Sequence, residues 1–438
     1  MNAQQDFRVV LIGGGIVGLI CAIALAQKGV QVDIYEAATK YGEIGAGVTI
    51  QHNAHPILKD LGLLDEIAKA AAGPRLPLFG FVMGPDSRES VYQYPENAVE
   101  KDQGIGLHRA VLINTLVRFL PPGVHSHFRK RCTDVITNQD GRVEVQFADG
   151  SRTVADIVIG ADGIKSAIRG LVLGPKGDRL VDTGHRCYRN LLPIQRLMEA
   201  GVNTNALVPR CWMGSRKHLV SYPIGDGAMY NMAAFATDLS KVMVPAGSQS
   251  SWTDWVIPAP RTELQAAFVD FDSDARAILE QADESVTKWK IHGLYPPLEC
   301  HVGSAPTSST GVGSKANVVL IGDAAHAMVP YLGSGASVGI EDAYELANLL
   351  SHPQTCRDNL SDVLHAYNEA RVPRTTFVAN ASKRAGEVYH GLGPSGPSTD
   401  GRRRDLDRQF DEIWHHDAQA EVRQIVQALV DGGVFTKS

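Results

Sequence analysis

Three glycines near the amino terminus have the spacing of a phosphate-binding turn. Gly13, Gly15 and Gly18 follow one apolar stretch, and a second apolar stretch ends at Glu36. In such a unit the first glycine permits a tight turn, the second admits a pyrophosphate to the backbone amides, and the third lets helix and strand pack closely. A carboxylate at the end of the second strand accepts hydrogen bonds from ribose hydroxyls. Because the glycines, strands, helix and acid all have this spacing, we predict dinucleotide binding.

A second glycine-rich loop lies about three hundred residues further along the chain. Asp323 follows an apolar strand pattern, and GSGA at 333–336 leads into a predicted helix over 337–350. Glycine loses much backbone freedom on folding, so an ordered loop of this composition is costly. The amides at a helix N terminus attract an anion or a carbonyl. Either this is an ordinary strand-to-helix loop, or one long ligand touches both glycine motifs. These residues do not decide between a nicotinamide and a flavin dinucleotide.

The composition narrows the classes of function. A chain of 438 residues with a net charge of −6 is long enough for two or three domains and has no basic field for nucleic acid or an anionic membrane. The six cysteines are scattered, with no CxxC and no zinc-type spacing, which favours free thiols in a reducing compartment and no metal. The apolar run over 9–25 is interrupted by glycines and lacks a basic flank, so we expect a cytoplasmic protein. Arg402-Arg403-Arg404 is interpreted as a solvated loop.

Several stretches together resemble the flavin-dependent aromatic hydroxylases with a single nucleotide fold, most of all salicylate hydroxylase and its fungal relatives. DIVIGADGIKSAIR at 156–169 resembles the family's Asp-Gly motif, and GDAAHAM at 322–328, with the proline and glycine loop that follow, is more specific. YNEARVPRT at 367–375 and IWHHDAQ at 413–419 resemble the same branch. The resemblance covers nearly the whole chain and implies an FAD-dependent enzyme.

The resemblance also implies a set of residues that bind FAD. They are the three glycines of the first turn with Glu36 and, at positions that match the family's motifs, Gly47, Arg109, Asp162, Asp323, Gly333, Gly335 and Ala336. Amides at the start of the helix after Gly333 would stabilise the negative charge of a reduced flavin. A surface ion pair is the alternative for Arg109, and a turn or cap is the alternative for Asp162.

We predict an α/β protein with a Rossmann-like FAD-binding domain, an inserted mixed β-sheet domain for substrate, and C-terminal helices. The predicted ranges are 1–80, 100–178 and 287–350 for the FAD domain, 179–286 for the substrate domain and 351–438 for the helical region. Alternating residues over 217–237 predict a hairpin in a sheet that roofs the flavin, with His218, Val220 and Tyr222 on one face. No second GxGxxG unit with an acid follows, so NADH or NADPH is expected to bind transiently to the FAD domain.

Two residues carry over from the fungal relatives as the catalytic pair. CYRNLLP contains Arg189, and HLVSYP contains Tyr222. An arginine beside a phenol lowers its pKa and anchors the phenolate, and a tyrosine hydroxyl orients the same oxygen. The alternatives are an ion pair at a strand end for Arg189 and a sheet tyrosine with a solvated hydroxyl for Tyr222. His326 is interpreted as structural or as a neighbour of the flavin rather than as a base.

The leading hypothesis is a monooxygenase that uses FAD, NAD(P)H and molecular oxygen to hydroxylate a phenolic or hydroxybenzoate-type ring through a flavin hydroperoxide, with or without decarboxylation or dearomatisation. The alternatives are a flavin oxidase or dehydrogenase, and a non-catalytic FAD-binding redox sensor. Tyr331, Leu332 and Ser334 depart from the pattern of salicylate hydroxylases, which puts salicylate itself in question as the substrate. The apolar helical C terminus offers a surface for a homodimer.

Overall fold

The predicted mixed α/β fold is confirmed in the described part of the chain. The computed structural model describes residues 5–42, 47–71, 79–86, 89–94, 103–174, 179–203, 207–224, 227–238, 244–245 (backbone only), 255–306, 315 and 317–437. Its strands are β1 Val9–Ile12, β2 Val32–Tyr35, β3 Gly47–Ile50, β4 Gly80–Met83, β5 Ser90–Tyr92, β6 Ile105–His108, β7 His125–His127, β8 Cys132–Thr137, β9 Val143–Phe147, β10 Arg152–Ala155, β11 Ile157–Gly160, β12 Leu180–Pro193, β13 Arg210–Met213, β14 Lys217–Ile224, β15 Met229–Thr237, β16 Val244–Pro245, β17 Val256–Pro260, β18 Ser285–Leu294, β19 Val302–Gly303 and β20 Val318–Leu320.

The α-helices lie mainly in the first and last thirds of the chain. They are α1 Ile16–Gln27, α2 His55–Asp60, α3 Leu64–Ala70, α4 Arg109–Arg118, α5 Ala167–Leu173, α6 Ile194–Glu199, α7 Arg261–Ala267, α8 Ser273–Glu280, α9 Asp323–His326, α10 Gly335–Leu350, α11 Leu360–Tyr389, α12 Thr399–Leu406, α13 Asp411–Trp414 and α14 Ala418–Asp431. Across the described residues, no helix combines the length and the hydropathy needed to cross a bilayer.

A six-stranded sheet in the order β19-β20-β11-β1-β2-β7 carries both glycine motifs. All its neighbouring strands are parallel except β19 and β20. The residues of β1, β2 and β11 are all buried, as expected for apolar strands covered on both faces. Because the carboxyl ends of parallel strands meet at one edge, Gly13, Glu36, Asp162 and Asp323, which follow β1, β2, β11 and β20, come together there.

A larger, mostly antiparallel sheet has the order β17-β18-β12-β15-β14-β13-β4-β5, and β16 pairs with β12. Strands β14 and β15 form the predicted hairpin, although turn residues 225–226 lie outside the described residues. The sheet also includes β4, β5 and the whole of β18, so its strands come from outside the range 179–286 as well. The three domain ranges themselves stay predictions.

The C-terminal helices join the two sheets, and α11 and α14 both pack on α10. The interpretation of Arg402 as part of a solvated loop is wrong. Helix α12 begins at Thr399, and the Arg402 side chain is buried, where it donates hydrogen bonds to the carbonyls of Tyr389, Pro397 and Gly214. Three backbone acceptors compensate the desolvation of its guanidinium, a requirement that the composition of the segment does not reveal.

Candidate functional site

A cavity of about 320 Å³ lies at the carboxyl edge of the six-stranded sheet. Eight of the predicted cofactor residues line this cofactor cavity: Gly13, Gly15, Glu36, Arg109, Asp162, Asp323, Gly335 and Ala336. The fold therefore brings the two glycine motifs, remote in sequence, to one elongated site.

The first glycine turn leaves no room for side chains. Gly13 has φ +108°, and a Cβ placed on it would lie 2.4 Å from the carbonyl oxygen of Ala161. A Cβ on Gly18 would lie 2.1 Å from the carbonyl oxygen of Gly13, so helix α1 packs directly on the turn. These contacts match the roles predicted for both glycines. Gly15 is the N-cap of α1 and leaves the first amides of the helix for an anion.

Glu36 holds the same turn from the neighbouring strand. Its Oε2 accepts a hydrogen bond from the Gly14 amide at 2.7 Å, and its Oε1 accepts one from the Ala38 amide at 2.7 Å. An ionised carboxylate has about four acceptor positions. Glu36 therefore orders the turn and retains capacity for the hydroxyls of a ribose.

The second glycine loop supplies a helix N terminus, and two residues of opposite charge, Arg109 and Asp323, line the same cavity. Gly335 begins the 16-residue helix α10, and a Cβ placed on it would lie 3.9 Å from Oδ1 of Asp323. Burial lowers the pKa of Arg109, and the carboxylate of Asp323 opposes that shift. Arg109 thus lines the cofactor cavity together with Asp323, and its role toward the cofactor stays a prediction.

Asp162 has the cap role that was its alternative, and it also lines the cofactor cavity. Its carboxylate accepts hydrogen bonds from the hydroxyl of Ser166 at 2.5 Å and the amide of Ala167 at 2.7 Å, at the start of α5. Burial raises the pKa of Asp162, and these hydrogen bonds oppose the rise. The carboxylate fixes the direction of α5 beside the cavity.

Three predicted cofactor residues lie elsewhere. Gly18 is packed beneath the first turn, and Gly333, with φ +66°, lines a second cavity. A Cβ on Gly47 would lie 3.1 Å from the hydroxyl of Tyr222, which places Gly47 beside the second cavity. Residues 43–46, which precede it, lie outside the described residues. The cofactor roles of these glycines stay predictions.

The second cavity, which we call the substrate cavity after the role predicted for Arg189 and Tyr222, measures about 160 Å³ and lies between the large sheet and the C-terminal helices. Arg189 lies on β12 and Tyr222 on β14, on either side of β15. Arg189 and Val220 both pair with Ala233, and Tyr222 pairs with Asn231. Side chains opposite one another across a ladder share a face, so all five residues line the cavity together.

Arg189 and Tyr222 differ in charge. Among the described residues the guanidinium of Arg189 forms no ion pair with a carboxylate, and it lies over the ring of Trp289 at 5.6 Å. Of the described residues that line the substrate cavity, Arg189 is the one cation. Burial raises the pKa of Tyr222, and the charge of Arg189 and a hydrogen bond with Thr49 oppose that rise. The pair therefore presents a cation and a neutral hydroxyl.

A group of aromatic side chains, the aromatic wall, also lines the substrate cavity, and the sequence did not reveal it. Its members are Phe81, Tyr94, Tyr389, Phe410 and Trp414. Phe410 stacks on Trp414 at 4.3 Å, and Tyr94 contacts both rings. The rings come from β4, the segment after β5, α11, and the segment around α13. Only Trp414 lay in a stretch singled out from the sequence, IWHHDAQ, so no common motif could have assembled the wall.

A buried ion network lies behind both cavities. Arg371 of YNEARVPRT donates hydrogen bonds to Glu341, Asp342, Glu345 and Glu421 at 2.9–3.1 Å. Its own side chain has no solvent exposure. The three carboxylates on α10 and the one on α14 compensate the buried guanidinium, so Arg371 joins the helix of the glycine loop to the C-terminal helices.

The same network reaches His326 and the aromatic wall. His326 is buried and hydrogen-bonds to Asp342, which agrees with a structural role for this histidine. Arg374 pairs with Glu341 and donates hydrogen bonds to the carbonyls of Glu412 and Ile413, directly before Trp414. The stretches YNEARVPRT and IWHHDAQ therefore contact each other.

One cluster in the described part of the chain has ligand atoms close enough for a metal ion: Glu345, His416 and Glu421. Arg371 donates hydrogen bonds to both carboxylates of this cluster. Because a guanidinium cation already lies there, we interpret the cluster as part of the ion network.

Comparison with known proteins identifies the family. A family model described as an FAD binding domain matches residues 6–173 and 298–382. Salicylate hydroxylase of Pseudomonas putida is 34% identical over 97% of this chain and 95% of its own length. The 3-amino-4-hydroxybenzoate 2-monooxygenase of Streptomyces platensis is 32% identical over 94% of this chain and 96% of its own length.

Solved structures agree. A salicylate hydroxylase in complex with substrate superposes with a TM-score of 0.82 at 30% identity, covering 96% of this chain and 98% of that one. The residues of the cofactor cavity fit FAD, since a glycine turn without room for a Cβ, two helix N termini and the cation Arg109 suit its anionic pyrophosphate. The chain belongs to the FAD-binding flavoproteins that this domain defines, as an FAD-dependent monooxygenase related to salicylate hydroxylase.

Proposed function

We propose that this enzyme uses NAD(P)H and molecular oxygen to hydroxylate a single-ring phenol or hydroxybenzoate bound in the substrate cavity. The observation that carries the proposal is the pair Arg189 and Tyr222, which share a cavity that adjoins the cofactor cavity at the glycine loop. Gly333 lines the substrate cavity and Gly335 lines the cofactor cavity. An aromatic ring bound beside Gly333 would therefore lie next to the cofactor.

Arg189 and Tyr222 would act on the substrate oxygen. A cation near a phenol favours its ionised form and so lowers its pKa. Tyr222, whose own pKa is raised by burial, stays protonated and can donate a hydrogen bond to the phenolate. Ionisation makes the ring electron-rich, which electrophilic oxygen transfer requires.

The other residues would hold the cofactor and exclude water. The first glycine turn, Glu36, Arg109 and Asp323 would hold the dinucleotide. When bound, FAD would accept a hydride from NAD(P)H and would activate oxygen. The aromatic wall makes much of the lining of the substrate cavity apolar, which favours a dry site where the charge of Arg189 acts strongly.

The size of the cavity favours a single ring. An apolar cavity of about 150 Å³ binds benzene, and this one measures about 160 Å³. The names of the two relatives, salicylate hydroxylase and an aminohydroxybenzoate monooxygenase, denote single-ring substrates. Hydroxylation at a carbon that bears a carboxylate would release carbon dioxide, and hydroxylation at an alkylated carbon would end in loss of aromaticity.

Steady-state oxidation of NADH and NADPH by the holoenzyme tests the proposal. The assay compares salicylate, 3- and 4-hydroxybenzoate, phenol and no aromatic compound, with and without oxygen, and product is identified by mass. We expect oxygen-dependent oxidation that at least one phenol stimulates, and a product that contains one oxygen atom from molecular oxygen, with or without loss of carbon dioxide. A flavin-containing protein that no phenol stimulates would overturn the proposal.

A further inference from the structure

The ring of Tyr331 forms one side of the substrate cavity and is held by other rings. The rings of His185, His218, Phe235 and His390 surround it, with centroids at 5.3–6.0 Å and interplanar angles of 63–79°. Such edge-to-face contacts stabilise aromatic pairs. The rest of the ring packs against helix α11 and against the apolar cluster of Val181, Tyr295 and Val329, and it lines the cavity.

The cage of histidines around Tyr331 is itself fixed by hydrogen bonds. Nδ1 of His218 lies 2.8 Å from Nε2 of His390. The hydroxyl of Thr237 lies 3.3 Å from Nδ1 of both His185 and His390. Burial lowers the pKa of His185 to about 4 and that of His390 to about 3, so both rings are neutral near pH 7. The cage leaves Tyr331 little freedom on that side.

Gly386 lies against the ring from α11. A Cβ placed on Gly386 would lie 2.3 Å from Cδ2 and 2.4 Å from Cε2 of Tyr331. The residue has no positive φ, so its backbone does not require glycine. Glycine inside a helix costs about 1 kcal/mol relative to alanine. The close contact with the Tyr331 ring explains why glycine occupies position 386.

We propose that Tyr331 and Gly386 form a matched pair that determines which ring substituents the substrate cavity accepts. The inference rests on the proposed function. With the cage on one side and α11 on the other, the cavity is the open side toward which the ring can shift. A methyl group at residue 386 therefore moves the ring into the cavity, whereas a smaller side chain at residue 331 enlarges it.

The size and position of the Tyr331 ring, and not its hydroxyl, determine which ring substituents fit. The hydroxyl is buried without a hydrogen-bond partner among the described residues. Burial also raises the pKa of Tyr331 well above its usual range, which keeps the phenol neutral. Tyr331→Phe should consequently preserve the ranking of substrates.

The test uses FAD-loaded enzyme and a series of probes: phenol and its methyl, ethyl and propyl derivatives. Dissociation constants come from the change in flavin absorbance on binding, and kcat/KM comes from turnover. Gly386→Ala should weaken propylphenol relative to phenol at least about tenfold, because a methylene that does not fit is discriminated 10–200-fold. Tyr331→Leu should shift the ratio the other way, and the double variant should return towards the parent enzyme.

Gly170→Ala is the matched control, since a Cβ at that helical glycine meets nothing within 4 Å. It should leave the ranking unchanged. If the parent enzyme binds and oxidises phenols but Gly386→Ala and Tyr331→Leu keep its ranking, the pair does not determine specificity, and the proposed function stands. If no phenol binds or turns over in the parent enzyme, the proposed function fails and the inference fails with it.

Discussion

The two cavities adjoin each other but are built from different parts of the chain. The cofactor cavity lies at the ends of four parallel strands and at two helix N termini, and its first turn is built from close backbone contacts at glycine. The substrate cavity is made of side chains from β12, β14, β15, α11 and several loops. Backbone amides present the same donors whatever the side chain, whereas a wall of rings changes shape with each residue.

This difference leads to different tolerances. A turn built from close backbone contacts should fail as a whole when a Cβ is forced into it, because backbone cannot move aside cheaply. A cavity made of side chains should keep its cofactor and change its substrate when one ring is altered. The buried ion network around Arg371 contacts the elements of both, so its loss should affect both.

Arg371→Leu should have the largest effect. Removing one partner from a buried ionic cluster costs about 3–5 kcal/mol, because charges remain buried without compensation. Four carboxylates would lose their shared donor. Chemical denaturation should show this loss in the free energy of unfolding, and both FAD affinity and aromatic binding should fall.

Arg423→Leu is the control for that loss. Arg423 is exposed, and its contact with Asp417 measures 3.9 Å. An exposed pair contributes about 0–1 kcal/mol. If Arg371→Leu lowered the free energy of unfolding by only about 0–1 kcal/mol, this result would contradict the idea that the network supports the two cavities.

Gly13→Ala should have the next largest effect, and this effect should fall on the cofactor cavity and not on the substrate cavity. The new Cβ would meet the Ala161 carbonyl at 2.4 Å at a φ of +108°. Strain at such a φ alone costs about 1–3 kcal/mol. We expect protein purified largely without FAD, measured by its flavin absorbance.

Gly29→Ala tests whether strain or the clash is responsible. Gly29 has φ +84°, and a Cβ there meets nothing within 4 Å. Gly29→Ala should lower the free energy of unfolding because of its positive φ alone, and it should leave the flavin content unchanged. Equal flavin loss in both variants would show that the close approach at Gly13 is unimportant.

Arg189→Met should leave FAD in place and impair turnover. A hydrogen bond to a charged group contributes about 1.5–3 kcal/mol, which corresponds to roughly a 10–150-fold fall in kcat/KM. The variant no longer lowers the pKa of the bound phenol, so its pH profile should move to higher pH. Arg210→Met, another arginine over a tryptophan on the same sheet, lines neither cavity and serves as the control. An unchanged pH profile would exclude Arg189 as the anchor of the phenolate.

The sequence predicted the cofactor cavity far better than the substrate cavity, for a physical reason. Gly13, Gly18 and Glu36 form a local unit whose spacing follows from one strand, one helix and the next strand. Trp414 and Tyr389 reach the substrate cavity only through the packing of remote segments, and no short pattern records that packing. Arg189 and Tyr222 came from a resemblance, and their common face follows from the two-residue period of a strand.

The buried cluster of Glu345, His416 and Glu421 should make stability depend on pH. Burial alone would lower the pKa of His416, but the carboxyl groups of Glu345, 3.9 Å away, and Glu421, hydrogen-bonded at 3.0 Å, raise it to about 9. Burial raises the pKa of Glu345 to about 8, and the charge of Arg371 opposes that rise. Both groups hold a proton in the folded protein that the unfolded chain releases at lower pH.

A group whose pKa is raised on folding stabilises the protein below its unfolded value, and that stability is lost as pH rises through the folded value. Glutamate titrates near 4.3 and histidine near 6.5 when unfolded. The free energy of unfolding should therefore begin to fall above about pH 4.3 through Glu345, and should fall by a further amount on the order of 1–2 kcal/mol between pH 6.5 and 9 through His416. Urea denaturation across this range measures it. His416→Gln should be less stable at pH 6.5 and should lose less on going to pH 9. If His416→Gln instead follows the parent curve, the proton on His416 does not stabilise the junction between α10 and α14.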